Sequence, residues 1–169
     1  NDEDIRTMLS EASCAGVIHR AEKELIGGVM RFSDRCARDL MTPRRDVEIA
    51  GITESYAEIL AGFRTSGHSR LPLRRGGAHD IIGVLHSRDL LATTETEFDA
   101  LALMRPAPVI EETLPALDVI DRLRKSPIHM LLVYDAYGHF KGIITPMDVL
   151  GTIAGGFDEI EPEASNNAT

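Results

Sequence analysis

No apolar run in this 169-residue chain approaches the ~20 residues a helix needs to cross a bilayer. The opening Asn1-Asp-Glu-Asp is acidic where a signal peptide carries a basic stretch, so no export signal is read there. A start in mid-helix without methionine is expected of a piece cut from something longer. Positive charge is short as well. Lys and Arg number 18 against 27 Asp and Glu, and a net charge of −9 argues against a general nucleic-acid binder, which must neutralise phosphates. Cysteine is scarce: Cys14 and Cys36 have no metal-like spacing, and neither they nor the six histidines form a zinc set. They read as ordinary thiols in a reducing compartment. Gly76-Gly77 and Gly155-Gly156 lack the lysine and hydroxyl of a Walker loop. Nothing marks an activated nucleophile, and no carboxylates are spaced as an acid–base couple, so catalysis is not expected. Low-complexity tracts are missing too, and with 43% hydrophobic residues the chain reads as a folded body with one core or two small fused ones.

What the chain does contain, it contains twice. Leu40-Met-Thr-Pro43 returns as Leu103-Met-Arg-Pro106, 63 positions later. Ser69-Arg-Leu-Pro-Leu73 is answered by His129-Met-Leu-Leu-Val133, offset by 60. Gly83-Val-Leu-His-Ser-Arg-Asp-Leu-Leu91 is answered by Gly142-Ile-Ile-Thr-Pro-Met-Asp-Val-Leu150, offset by 59. Three matched segments in one order indicate two copies of a single supersecondary unit, with a ligand-sized cleft expected between them.

Periodicity fills in each copy. Helices are expected over 2–12 and about 20–32, outside the repeat, as a connector or a cover; Gly27-Gly28 weakens the second by about 1 kcal/mol per glycine, so packing must hold it. Copy one reads as a strand at Val47–Ala50, a helix opened by a Ser55-x-x-Glu58 capping box and closed at Gly67, strands at Leu71–Leu73 and Ile81–Leu85, and a helix from Ser87. Copy two repeats the order with strands at Val109-Ile110, Met130–Tyr134 and Phe140–Ile144, and a closing helix over Pro146–Ala154. The fold class is therefore α+β: two pseudo-symmetric repeats, each strand-helix-strand-strand-helix. Expected bounds are a connector over 1–38, repeats over 39–92 and 103–156, a helical linker over 93–102, and a flexible acidic tail over 157–169.

With these motifs in register, the chain resembles a tandem pair of cystathionine-β-synthase (CBS) domains, the Bateman module. The variant resembled is the cytosolic part of the CorC/HlyC family, related to magnesium and cobalt efflux proteins and haemolysins. The matching text is Asp39-Leu-Met-Thr-Pro-Arg44, Gly67-His-Ser-Arg-Leu-Pro72, Ile82–Leu91 and Gly142–Leu150, with Gly16–Ile26 similar to that family's link from its membrane domain. The run Gly151-Thr-Ile-Ala-Gly-Gly156 departs from the acidic continuation usual there, and the family's membrane and small C-terminal domains are missing.

The resemblance implies a regulatory adenosine-nucleotide site. Thr145 and Asp148 would hold the ribose, and Ile143 would flank the adenine; by itself Thr145-Pro-Met-Asp148 is a helix capping box. The copies' pseudo-two-fold axis would bring Ser69 and Arg70, with His68, to that ribose site, where the planar guanidinium suits phosphate. The plain alternative for Arg70 is a surface ion pair of little energy. Pro72 would wall the adenine, Thr53 and Ile52 would contact adenine and ribose, and Arg44 and Arg45 would add positive charge near the cleft, at least one of them remaining solvated. A second, weaker site would hold Val84, His86, Asp89 and His129, with His86 more simply a helix-capping histidine. ATP is the favoured ligand, AMP and ADP the alternatives, with magnesium held through phosphates rather than by a protein metal site. The implied setting is the cytoplasmic domain of a bacterial inner-membrane protein, a homodimer through the helices after Asp89 and Asp148, shifting between arrangements as nucleotide binds. The competing reading is a ligand-free dimerisation module.

Overall fold

Short-range chemistry sets most element ends. The computed structural model describes residues 2–14, 16 and 19–154. Helices α1 (Asp2–Cys14) and α2 (Arg20–Ser33) lead to a one-turn α3 (Ala37–Leu40), a two-residue β1 (Thr42–Pro43) and a 3-10 turn at Arg44–Asp46. The first repeat continues with β2 (Ala50–Gly51), α4 (Tyr56–Ser66), β3 (Arg70–Arg74), β4 (Ile81–His86) and α5 (Ser87–Leu91). After α6 (Ala100–Leu103), the second repeat runs β5 (Val109–Glu111), α7 (Ala116–Lys125), β6 (Leu131–Tyr134), β7 (Phe140–Ile144) and α8 (Pro146–Ile153). The Ser55/Glu58 capping box is formed: Ser55 N–H donates to the Glu58 carboxylate at 2.8 Å, and Glu58 N–H donates to Ser55 Oγ at 3.2 Å. Gly67, at φ +67°, ends α4 in the left-handed conformation that a Cβ would disfavour.

Two expectations need correction. The linker over 93–102 is not a helix throughout; only Ala100–Leu103 is helical, started by the Asp99 carboxylate accepting the Leu101 N–H. Thr93 sits at a bend, Thr96 in a turn and Thr94 between them, with the Thr94 and Thr96 hydroxyls 3.2 Å apart; such residues favour turns over helix interiors. The strand expected over Val47–Ala50 shrinks to Ala50–Gly51, because Arg44–Asp46 turns the chain and sends Val47 and Glu48 to a cleft wall. The tail expected over 157–169, like Gly155-Gly156, lies outside the described residues.

The repeats trade their first segments. One sheet has the order β2-β3-β4 and the other β1-β7-β6-β5. Thr42-Pro43, which opens the first copy, pairs antiparallel with Ile143 and Gly142 of the second. Arg105, which opens the second, bridges Val84 of the first with reciprocal N–H to carbonyl bonds of 2.8 Å. Each incoming segment crosses a glycine: a Cβ on Gly142 would run into the Thr42 carbonyl, and one on Gly83 would lie 3.0 Å from that of Arg105.

The core has three parts. Ile59, Phe63, Leu71, Leu73, Leu85 and Leu90 fill the first repeat, and Ile110, Val119, Leu131, Val133 and Ile144 the second. Val84, Ile128, Met130, Leu132 and Phe140 join the two sheets. Helix α2 covers the second repeat, with Phe32 in its core at 1% exposure, a burial that contributes about 1.5–3 kcal/mol. Gly28 lets α2 approach α8 so closely that any Cβ would meet the Ile153 carbonyl. Among the described residues no helix is long and apolar enough to cross a membrane.

Candidate functional site

The start of β3, the end of β7 and the first turn of α8 converge on a cleft of about 610 Å3. That volume is in the range of small-molecule pockets. One wall is His68, Ser69, Arg70 and Pro72; the facing wall is Ile143, Thr145 and Asp148. Residues 60 and more positions apart in the chain thus meet as the repeat symmetry requires.

Thr145 is the N-cap of α8, Pro146 its first residue and Asp148 its third, so the capping-box reading is correct as structure. Asp148 Oδ2 accepts the Thr145 N–H at 2.8 Å and the Thr145 hydroxyl at 2.9 Å. Asp148 Oδ1 accepts the Thr42 hydroxyl at 2.6 Å, a bond between the repeats. An ionised carboxylate offers about four acceptor positions, so Oδ1 keeps capacity towards the cleft. Across the gap, Arg70 Nε is a buried donor with no hydrogen-bond partner among the described residues. A buried unsatisfied donor costs about 1–3 kcal/mol, more when charged, so an acceptor reaching this group would relieve that cost.

Several cleft residues were not foreseen. Thr42, Asp46, Val47 and Glu48 line it because the exchanged segment folds back over it. The only sequence signal for Thr42 is that it stands where the second copy has Arg105; nothing local says that it crosses to the other sheet. Met130 closes the apolar side.

Other expected members lie elsewhere. Thr53 is exposed in the turn before α4 and is not on the cleft wall, and Ile52 packs on the first core. Arg44 and Arg45 face a different cavity. The second set is divided: Val84, His86 and Asp89 stay together on β4 and α5, whereas none of the three joins His129 on its cleft wall. Val84 is fully buried between the sheets, and His129 lines the first cleft, held at φ +54° by the turn before β6. Arg105 grips Asp89 in a two-pronged ion pair, Nε to Oδ2 at 2.9 Å and Nη2 to Oδ1 at 2.8 Å. The hydrogen bonds and charge of Arg105 hold the Asp89 carboxyl below its ordinary pKa. His86 caps α5 by accepting the Arg88 N–H at Nδ1, and burial, with Arg88 and Arg70 nearby, pushes its pKa down. Among the described residues no three His, Cys, Asp or Glu side chains gather as metal ligands.

Comparison with known proteins fits this geometry. The family model for the CBS domain matches residues 37–94 and 99–155. The chain is 30% identical over 151 residues to Hemolysin C of Brachyspira hyodysenteriae, covering 87% of this chain and 56% of that protein. It is 29% identical over 167 residues to the magnesium and cobalt efflux protein CorC of Pasteurella multocida, covering 96% and 56%. The chain therefore spans about half the length of these curated relatives. The solved CBS domain of a bacterial CNNM/CorC family Mg2+ transporter matches with a TM-score of 0.83 and 26% identity over 92% of this chain and 96% of that one. A CBS domain of that family in complex with ATP matches with a TM-score of 0.73 and 28% identity over 79% and 97%.

Proposed function

We propose the role of the cleft from the family: the chain belongs to the CBS domains, as a tandem pair of the CorC and haemolysin C kind. Its cleft is a regulatory site for an adenosine nucleotide. Asp148 and Thr145 take the ribose hydroxyls, and the adenine lies among Ile143, Pro72, Val47 and Met130. The phosphates reach Arg70, whose buried Nε, unpartnered in the same cleft as Asp148, is the observation that carries this reading. ATP is favoured by the ATP complex of the similar CBS domain. Asp46 and Glu48 share the cleft, so a triphosphate there meets carboxylates, and a magnesium ion held by its phosphates would offset the repulsion.

The ligand contacts both repeats, so it favours whichever arrangement brings Arg70 and Asp148 to the right separation. Only that difference in affinity can be passed on to an attached domain. The parent would be a bacterial inner-membrane protein with this pair on its cytoplasmic side. Leu91, Met147 and Leu150, 75%, 71% and 55% exposed on α5 and α8, form the apolar face through which two copies would pair. No catalytic step is assigned.

Calorimetric titration of ATP, ADP and AMP, with and without magnesium, tests the site. We expect saturable binding that raises the melting temperature, since a ligand at about 100 times its Kd adds about 2.7 kcal/mol. Arg70→Ala should weaken binding about tenfold or more. If no adenosine nucleotide binds the unaltered chain, the ligand-free dimerisation module is the better description.

A further inference from the structure

The segment that walls the nucleotide cleft has another side. Thr42 and Asp46 line the cleft, whereas Pro43, Arg44 and Arg45 line a separate cavity of about 460 Å3. Its opposite wall is His79, from the β3–β4 loop, with His139 and Lys141 around the start of β7. The two cavities share no lining residue. In the β1–β7 pairing Thr42 lies beside Ile143 and Pro43 beside Gly142, so one further step brings Arg44 level with Lys141.

This charge arrangement opposes the composition of the chain. In a protein of net charge −9, no Asp or Glu lines the cavity. Neither Arg44 nor Lys141 has an ion pair among the described residues, and Arg45 reaches only Asp46, at 3.9 Å. Like charges lining one cavity repel, and among the described residues no carboxylate is ion-paired with Arg44 or Lys141.

The cavity wall is also held in place. His79 Nδ1 accepts the Phe140 N–H at 3.1 Å, and the Tyr134 hydroxyl donates to the His79 carbonyl at 3.0 Å. Arg44 Nη1 stands 3.3 Å from both His79 ring nitrogens, and the His139 ring lies 4.9 Å from that of His79. Asp135 borders this wall without lining the cavity: its carboxylate accepts the Tyr137 and His139 N–H groups at 2.9 Å each and lies 3.0 Å from His139 Nδ1. A guanidinium fork and an ammonium lining one cavity match the oxygens of a phosphate group.

We infer that this cavity is a second anion site, independent of the nucleotide cleft, that takes a phosphate-bearing group between Arg44 and Lys141, with Arg45 at its rim. The group can come from a soluble phosphate ester or from the headgroup of an anionic lipid.

The test uses the whole 169-residue chain carrying Arg70→Ala, which removes the cation of the cleft and leaves this cavity intact. In one arm inorganic pyrophosphate is titrated while the ring NMR signals of His79 and His139 are followed, with KCl at matched ionic strength as control. Saturable shifts with pyrophosphate and none with KCl are expected. Arg44→Gln and Lys141→Gln, made separately so that a fold defect in one leaves the other informative, should each weaken binding about tenfold. In the other arm the protein is floated with phosphatidylglycerol or phosphatidylcholine vesicles. Pyrophosphate binding without flotation identifies a soluble ester as the source; flotation on phosphatidylglycerol alone, lost in the two variants, identifies a lipid headgroup. Shifts that KCl reproduces, binding that survives both substitutions, or silence in both arms would overturn the site. Because Arg70 is already removed, none of these outcomes depends on the nucleotide reading.

Discussion

Asp148 and Asp89 occupy equivalent places in the two repeats, and each is met by the residue that the other repeat sends across. For Asp148 it is the Thr42 hydroxyl; for Asp89 it is the Arg105 guanidinium. The two partners differ in what they leave behind. The Thr42 hydroxyl takes one acceptor position on Oδ1, and with the Thr145 N–H and hydroxyl on Oδ2 the Asp148 carboxylate keeps about one of its four. A guanidinium uses both oxygens and cancels the charge, and neutral sugar hydroxyls compete poorly with it. On the proposed reading, one threonine-for-arginine difference in a repeated motif therefore separates a carboxylate with a free acceptor position from one that is fully engaged. The fold is duplicated; the partners of the two aspartates are not.

The sharpest way to break this comparison is to remove each aspartate. Asp148→Ala should lower nucleotide affinity by roughly 10- to 100-fold, since hydrogen bonds to charged groups contribute about 1.5–3 kcal/mol. Asp89→Ala should leave affinity unchanged in the same calorimetric titration, and equal losses in both would refute the asymmetry. Next in size is the pair of crossing glycines. Gly142→Ala pushes a methyl group into the Thr42 backbone and should cost about 1–3 kcal/mol of stability in urea unfolding. Gly83→Ala meets the Arg105 carbonyl at 3.0 Å and should cost less. The smallest effect concerns acid. Because the Asp89 carboxyl is held below its ordinary pKa in the fold, the stabilisation from its pairing is fully present above the ordinary carboxylate range. It is lost as pH falls through the depressed value. Arg105→Thr should flatten that acid limb in urea midpoints measured across pH, and should open a second, weaker nucleotide site visible as added stoichiometry. An unchanged limb would show that the ion pair contributes nothing.

Features that depend on neighbours in sequence were legible before the structure. Ser55 with Glu58, Thr145 with Asp148 and the stop at Gly67 are contacts within one helical turn, and residue type at fixed spacing is enough to read them. The duplication was legible for the same reason, as was the meeting of Arg70 with Asp148, because two like units can be expected to face each other across a pseudo-two-fold axis. The misreadings share a different cause. Thr53, Arg44, Arg45 and His129 were assigned from the family resemblance and the register of the repeats, while their surroundings depend on how the two repeats pack. The linker failed on propensity, since its apolar residues outweighed its threonines in the pattern but not in the fold.

The order of residues alone determined that there are two copies, where their helices begin and end, and which side chains each copy brings to its own strand tips. All of that is short-range stereochemistry and hydrogen bonding. Only the tertiary structure decided that Leu40-Met-Thr-Pro43 and Leu103-Met-Arg-Pro106 cross to opposite sheets, so that a hydroxyl meets one carboxylate and a cation the other. Strand pairing between distant segments is selected by packing over the whole core, and Thr42 and Asp148, 106 residues apart, carry no local sign of the bond they form.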